Sequence, residues 1–265
     1  MTFIVDVGTS WNALRTIPLR DRFDLPVLFI EPDSEALAQI PANQNDIKLN
    51  AAITSYTGVA EFLFYQDGTH SLLKTNLEEI HKFIDGNTGT FATREEWTPR
   101  RSIEVPCFRL ETVLSSYSID SVAFLKIDAQ GHDLEVLRSL GDKIRTVQIF
   151  EVEVQVTDFE IYRGQSKQAE VLEFAEASNF DLVGVYPQTF NQEFILIFVN
   201  RDHSEGPASA LAPLILQALD ESLESEGGGA PSGLRRQMAS TIDRFCRKLA
   251  KVRDAFRDPR NGASD

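Results

Sequence analysis

Residues 124–137 read FLKIDAQGHDLEVL, a stretch that combines an apolar strand, a sharp turn and a helix. The apolar run predicts a strand that is buried on both faces, as in a parallel sheet. It places Asp128 at the carboxyl end of that strand, where α/β folds bind ligands. Gly131 permits a sharp turn, and the helix that follows should end at Gly141. Because Lys126 interrupts the apolar run, we expect its charge to be paired.

Other parts of the chain repeat this pattern of a strand followed by a helix. Short apolar runs occur at 3–5, 27–30 and 147–150, and helical patterns begin at Ser34 and Gln168. Alternating strands and helices predict an α/β fold with a mostly parallel, doubly wound sheet.

The last two apolar runs of this region have a different arrangement. Residues 180–186 and 193–199 flank a turn-rich segment that begins at Pro187. Two such runs around a turn predict a hairpin. We therefore expect an antiparallel hairpin strand at the C-terminal end of the sheet.

Composition narrows the class of protein. The chain has 265 residues, 42% of them hydrophobic, and a formal net charge of −14. An acidic balance argues against nucleic acid as a partner, because phosphate binding needs clustered Lys and Arg. Cys107 and Cys246 have no metal-binding spacing. Because no secretion signal or membrane-spanning run is recognisable, we expect a cytoplasmic protein with free thiols.

The sequence changes character after about Arg201. We predict a main domain at 1–202 and a helical tail at 203–265. The tail should contain three parts: an acidic helix at 208–225, a Gly-rich linker at 226–233 and a basic amphipathic helix at 234–257. The last helix has an apolar seam, so we expect it to dock on its own chain or on a second copy. The alternative is contact with a different partner or with a membrane surface.

Two acidic positions suggest a ligand site. Gly8 follows the first strand in the sequence Asp6-Val7-Gly8, and Glu31 ends the second strand. Glu31 can accept both ribose hydroxyls of an adenosine, although it could also be a surface charge. The glycines that cradle a dinucleotide phosphate are absent, so an adenosyl ligand without phosphate fits better.

With these motifs the chain resembles the FkbM-type methyltransferase family. The resemblance is carried by FIVDVG at 3–8, FIEP at 29–32 and the stretch 124–137, and it covers about residues 3–200. It implies a Rossmann-like class I methyltransferase fold that uses S-adenosylmethionine. It also implies methyl transfer to a hydroxyl oxygen of a sugar, a glycolipid or another small molecule.

The resemblance also implies a set of cofactor-binding residues: Asp6, Gly8, Asn12, Glu31, Asn50, Ala51 and Asp128. In this set Asp6 and Gly8 line the methionine part of the cofactor, and Glu31 holds the ribose. Asn50 and Ala51 lie near the adenine.

Asp128 and Asn12 complete this set. Asp128 is implied to lie beside the methyl group and the acceptor. Asn12 stands where the family has a second glycine, and Asn tolerates left-handed backbone angles better than most residues.

Methyl transfer to an alcohol needs a group that removes the hydroxyl proton. The candidates are Asp128, His132 and Glu153. Each has a structural alternative: a helix N-cap for Asp128, a solvated first-turn residue for His132 and a strand carboxylate paired with Lys126 for Glu153. We expect no metal, because two carboxylates alone are weak evidence for one.

Two other functions compete with an active methyltransferase. The first is a non-catalytic domain of the same fold that is used for binding or assembly. The second is a different Rossmann-like enzyme, against which the missing phosphate-binding glycines argue.

Overall fold

The structure is a computed structural model that describes residues 1–9, 13, 15–65, 69–80, 95–155, 160–187, 193–204 and 214–219. The chain divides into two compact units, 1–226 and 227–265, and all described residues belong to the first. The predicted linker, the basic helix and most of the acidic helix lie outside the described residues. The domain boundary at 202 therefore stays a prediction.

The described residues form ten strands: β1 Thr2–Val7, β2 Val27–Ile30, β3 Ile47–Leu49, β4 Ala52–Ile53, β5 Gly58–Phe64, β6 Arg101–Phe108, β7 Ser121–Ile127, β8 Ile149–Gln155, β9 Phe180–Pro187 and β10 Glu193–Asn200. The α-helices in the same part of the chain are α1 Thr16–Phe23, α2 Ser34–Gln39, α3 Leu110–Ser116, α4 Asp133–Arg138, α5 Gln168–Ala177 and a helical segment at 214–219. Short 3-10 helices occupy Gly141–Thr146 and Arg201–Ser204.

Seven strands form the central sheet, in the order β3-β2-β1-β7-β8-β10-β9. Strands β3, β2, β1, β7 and β8 pair in parallel. Strand β10 runs antiparallel to both β8 and β9. The structure confirms the doubly wound, mostly parallel sheet with a C-terminal hairpin. The strand order reverses between β1 and β7, which is where such sheets bind ligands.

A second, three-stranded sheet has the order β4-β6-β5. In it β5 pairs antiparallel with β6, and β4 pairs parallel with β6 through two residues. Sequence patterns did not predict this sheet. It matters for function because its inner side chains close one side of the cleft described below.

The hydrophobic core lies on both faces of the central sheet. Its middle strands are buried along almost their whole length, which suits their continuous apolar sequence. Part of the predicted tail joins this core, since Ile215 and Leu219 of the segment 214–219 pack in one cluster with Phe29 and Ile197. Within the described parts of the chain, no helix is long and apolar enough to cross a membrane.

Candidate functional site

A cleft opens where the strand order reverses. It is lined by Gly8 after β1, by Glu31 after β2 and by Asp128 after β7. About 730 Å³ of this cleft is filled by no protein atom, part of it open to solvent. Of the other predicted residues, Ala51 and His132 also line the cleft.

Gly8 brings two strand ends together. It has a φ of 72°, and a Cβ at this position would collide with the carbonyl group of Asp128. Only glycine therefore allows the turn after β1 to pack against the turn after β7. Gly8 therefore has a packing role in addition to its place in the lining of the cleft.

Glu31 faces the cleft from the end of β2 and is 8% exposed. Its Oε1 accepts a hydrogen bond from the backbone N–H of Asp33 at 2.8 Å. Burial raises the pKa of Glu31 to about 8, and the carboxylates of Asp33 and Asp128 act in the same direction. The backbone hydrogen bond and the Lys126 ammonium oppose this rise. A buried carboxyl of this kind gains from hydroxyl donors, which stabilise its charged form.

Apolar side chains also line the cleft. Ile30 comes from β2, Ile53 from β4 and Phe62 from β5, and Leu72 lies in the segment after β5. His70 lines the cleft as well, and its Nδ1 accepts from the backbone N–H of Tyr65 at 3.3 Å. The cleft is therefore lined by both carboxyl groups and apolar side chains.

Asp6 is fully buried behind the cleft and does not line it. Its Oδ2 accepts from Thr16 Oγ1 at 2.6 Å, and its Oδ1 lies 3.4 Å from Lys126 Nζ. The prediction that Asp6 contacts the cofactor is therefore not supported by its position, because both oxygens face the protein interior. Asp6 instead fixes α1 and Lys126 against β1.

Lys126 is buried and connects three groups, which confirms that its charge is paired. Its Nζ lies 3.4 Å from Asp6 Oδ1, 3.6 Å from Asp128 Oδ2 and 3.3 Å from the carbonyl oxygen of Gly8. Burial alone would lower the pKa of Lys126, but Asp6 and Asp128 outweigh it and raise that pKa above the usual value. The ion-pair partners are these two aspartates and not Glu153.

Asn50 also differs from its predicted role. Its side-chain amide donates to the backbone carbonyls of Glu31 at 2.9 Å and Pro32 at 2.8 Å. It does not line the cleft, whereas its neighbour Ala51 does. Asn50 therefore holds the turn after β2 in place, and a contact with the adenine is not supported by its position. Asn12 lies outside the described residues.

Glu153 lies on β8, partly buried and outside the lining of the cleft. Burial raises its pKa well above the usual value, and the nearby carboxylates of Asp128 and Glu193 raise it further. Lys126 and Arg15 oppose this effect. The arrangement produces a carboxyl group that holds a proton more tightly than an ordinary glutamate.

His132 lines the cleft at the start of α4. Its Nε2 is buried and has no hydrogen-bond partner among the described residues. Burial lowers the pKa of His132, so the ring is neutral near pH 7 and can accept a proton. The next residue, Asp133, has a structural role, because its carboxylate accepts from the backbone N–H groups of Ala129 and Gly131.

Sequence patterns missed Gln130, which lines the cleft and donates to Asp128 Oδ1 at 3.0 Å. No pattern marks it, because its importance depends on a left-handed backbone angle that the sequence does not reveal. In the described part of the chain, no group of three or more His, Cys, Asp or Glu residues could hold a metal ion.

The family follows from a direct comparison. A model described as the Methyltransferase FkbM domain matches residues 19–182, which is more than half of the chain. The chain therefore belongs to the family of FkbM-domain methyltransferases, as its motifs predicted. No match was found among curated protein sequences.

Similar solved structures were found at low identity. Magnesium protoporphyrin IX methyltransferase from Synechocystis, with bound S-adenosylmethionine, has 12% identity and a TM-score of 0.37, covering 75% of this chain and 69% of that chain. An S-adenosylmethionine-dependent methyltransferase from Clostridium acetobutylicum has 6% identity and a TM-score of 0.33, covering 75% and 84%. An uncharacterized protein from Listeria monocytogenes has 9% identity and a TM-score of 0.35, covering 96% and 92%.

Proposed function

We propose that this protein is an S-adenosylmethionine-dependent methyltransferase that acts on a hydroxyl oxygen of a sugar, a glycolipid or another small molecule. The observation that supports the proposal best is the meeting of Gly8, Glu31 and Asp128 in one cleft at the reversal of the sheet. Membership of the methyltransferase family supports the reaction class.

The residues of the cleft fit an adenosyl ligand without phosphate. Glu31 offers oxygens to the two ribose hydroxyls, and the wall of Ile53, Phe62 and Leu72 suits the flat adenine base. The Asp128 carboxylate can accept a hydrogen bond from the ammonium group of the methionine part of the cofactor. The turn after β1 lacks the glycine-rich sequence that holds a dinucleotide phosphate, which disfavours a dinucleotide.

S-adenosylmethionine supplies a methyl group that its positive sulfur activates. The protein has to hold the acceptor hydroxyl in line, exclude water and take up the hydroxyl proton. We assign the proton to Glu153. It follows Val152, the register partner of Ile127, so it lies next to Asp128 at the ends of the strands, and burial raises the pKa of its carboxyl group above the usual value. His132 is the second candidate, since its neutral ring presents an unpartnered, buried Nε2 among the described residues.

The test measures formation of S-adenosylhomocysteine while a panel of sugars, glycolipids and small alcohols is offered. We expect one acceptor class to stimulate product formation. With that acceptor, Glu153→Gln should lower kcat by about 100-fold or more, because a general base contributes on that order. His132→Gln should leave kcat within a fewfold of the parent.

Two results would count against this assignment. If only amines or thiols are methylated, the hydroxyl acceptor is wrong. If His132→Gln carries the large loss while Glu153→Gln does not, the histidine is the base instead.

A further inference from the structure

A chain of hydrogen bonds behind the cleft joins Tyr162 to Asp128 through Gln130. Tyr162 Oη donates to Gln130 Oε1 at 3.0 Å, and Gln130 Nε2 donates to Asp128 Oδ1 at 3.0 Å. Chemistry fixes the direction of the amide, because an ionised carboxylate can only accept. The NH₂ group must therefore face Asp128, which leaves the amide oxygen for the tyrosine hydroxyl.

Gln130 is held in an uncommon backbone conformation. Its φ is 48°, in the left-handed region that residues other than glycine rarely adopt. Its carbonyl oxygen accepts from Ser71 Oγ at 2.8 Å, and the carbonyl of Gly131 accepts from the backbone N–H of Ser166 at 2.7 Å. Such strain persists only where the surroundings hold it, and it clusters at functional sites. The contacts therefore point the Gln130 side chain at Asp128.

Tyr162 is the buried end of this chain of hydrogen bonds. It is 1% exposed, and the rings of Tyr65 and Trp97 flank it with centroids 6.1 Å away. Its hydroxyl lies equally close, at 3.0 Å, to the carbonyl oxygen of Thr69, next to His70, which lines the cleft, so its one proton is shared between this carbonyl and Gln130 Oε1. One hydroxyl thus connects the wall of the cleft with the amide that holds Asp128.

Each oxygen of the Asp128 carboxylate has its own partner, one a neutral amide and the other a charged ammonium group. Oδ1 accepts from Gln130, and Oδ2 lies 3.6 Å from Lys126 Nζ. The side chain is 20% exposed and lines the cleft. A charged group that is fixed before the ligand arrives attracts an opposite charge without first having to reorganise.

We propose that Gln130 and Tyr162 are positioning residues that aim the Asp128 carboxylate at the cationic methionine part of the cofactor. This inference rests on the proposed function and adds two residues that act through Asp128. Gln130 and Tyr162 should therefore affect the affinity for a ligand with a charged methionine part, and they should not affect the affinity for an uncharged adenosine derivative.

The test is calorimetric titration of the full chain and of its variants Tyr162→Phe and Gln130→Met with two probes. S-adenosylmethionine carries the sulfonium and amino acid charges, whereas methylthioadenosine keeps the adenosine and has neither. We expect each variant to bind S-adenosylmethionine roughly three- to tenfold more weakly, the value of one hydrogen bond. The affinity for methylthioadenosine should not change. The double variant should lose little more than either single one, because both changes break the same chain.

Tyr65→Phe is the matched control. Tyr65 packs against the same tyrosine ring, but its hydroxyl donates to the carbonyl of Leu73 at 3.0 Å, outside the chain. This variant should lower the melting temperature and keep the ratio of the two affinities. Circular dichroism would establish that each variant is folded.

Three results would overturn the proposal. Equal weakening of both probes in the folded Tyr162→Phe and Gln130→Met variants would show a general loss of pocket shape. Unchanged affinity of these variants for S-adenosylmethionine would show that the chain of hydrogen bonds does not position Asp128. If the parent chain binds neither probe, the proposed function fails and this inference fails with it.

Discussion

Lys126 holds the centre of the site together, because one buried ammonium group faces two buried or partly buried carboxylates. Its partners Asp6 and Asp128 lie on opposite sides of the cleft wall, one behind it and one in it. The same ammonium approaches the carbonyl of Gly8. This single side chain therefore ties the turn after β1 to the turn after β7.

We predict that Lys126→Met destabilises the protein by about 3–5 kcal/mol, since it leaves buried carboxylate charge without its partner. The measurement is urea unfolding followed by circular dichroism. The double variant Lys126→Met, Asp6→Asn removes part of that charge and should recover some of the loss. A Lys126→Met chain as stable as the parent would contradict the role of this ion pair.

At the scale of elements, the turn after β1 is the most constrained connection of the site. Gly8 combines a positive φ with a collision that any Cβ would make with the backbone of Asp128. Gly164 also has a positive φ, of 75°, but open space surrounds the position of its missing Cβ. Substitutions at the two glycines can therefore be compared, because Gly164 has only the backbone strain, whereas Gly8 has both the backbone strain and the close packing.

We predict that Gly164→Ala costs about 1 kcal/mol of stability, the usual price of a left-handed alanine. Gly8→Ala should cost clearly more, and it should also abolish binding of S-adenosylmethionine, because the two strand ends must separate. Thermal unfolding and calorimetry measure the two effects. Equal losses in the two variants would mean that the approach of Gly8 to Asp128 is not important.

The main strands and the hairpin could be predicted because each is a short apolar run between turn-forming residues. The second sheet could not, since β4 has only two residues and its pairing with β6 joins distant parts of the chain. For the same reason the sequence did not reveal that Phe62 lines the cleft. Such pairings depend on tertiary packing and leave no local periodicity.

Site residues were predictable where position along a strand decides their place. Glu31 and Asp128 follow strand ends and line the cleft as expected. Asp6 and Asn50 do not, because the direction of a side chain depends on its neighbours, here Lys126 and the carbonyls of the turn after β2. Local sequence does not contain that information.

At the scale of the whole molecule, buried carboxyl groups make stability depend on pH. Burial raises the pKa of Glu31 to about 8 and that of Asp133 to about 7. In both cases the folded state binds the proton more tightly than the unfolded state. The stability that these two groups contribute is therefore greatest at low pH and falls as the pH rises from the unfolded pKa towards the folded one.

We predict that the free energy of unfolding falls between about pH 6 and pH 8. Glu31 should account for roughly 2 kcal/mol of this fall, and Asp133 for less. Burial lowers the pKa of His132, which acts in the opposite direction and reduces the total change. Urea unfolding at both pH values measures it. Glu31→Gln should make the dependence shallower, because the contribution of Asp133 remains, and Glu104→Gln, at an exposed position on β6, should leave it unchanged. A stability that rises over this range would contradict the assignment.

The central claim is that the cleft binds S-adenosylmethionine through Glu31, and calorimetric titration of the purified chain tests it most directly. We expect a dissociation constant on the order of micromolar, at least tenfold weaker binding by Glu31→Gln and unchanged binding by Glu104→Gln. If the folded parent chain gives no binding, or if Glu31→Gln binds as tightly as the parent, the claim is contradicted.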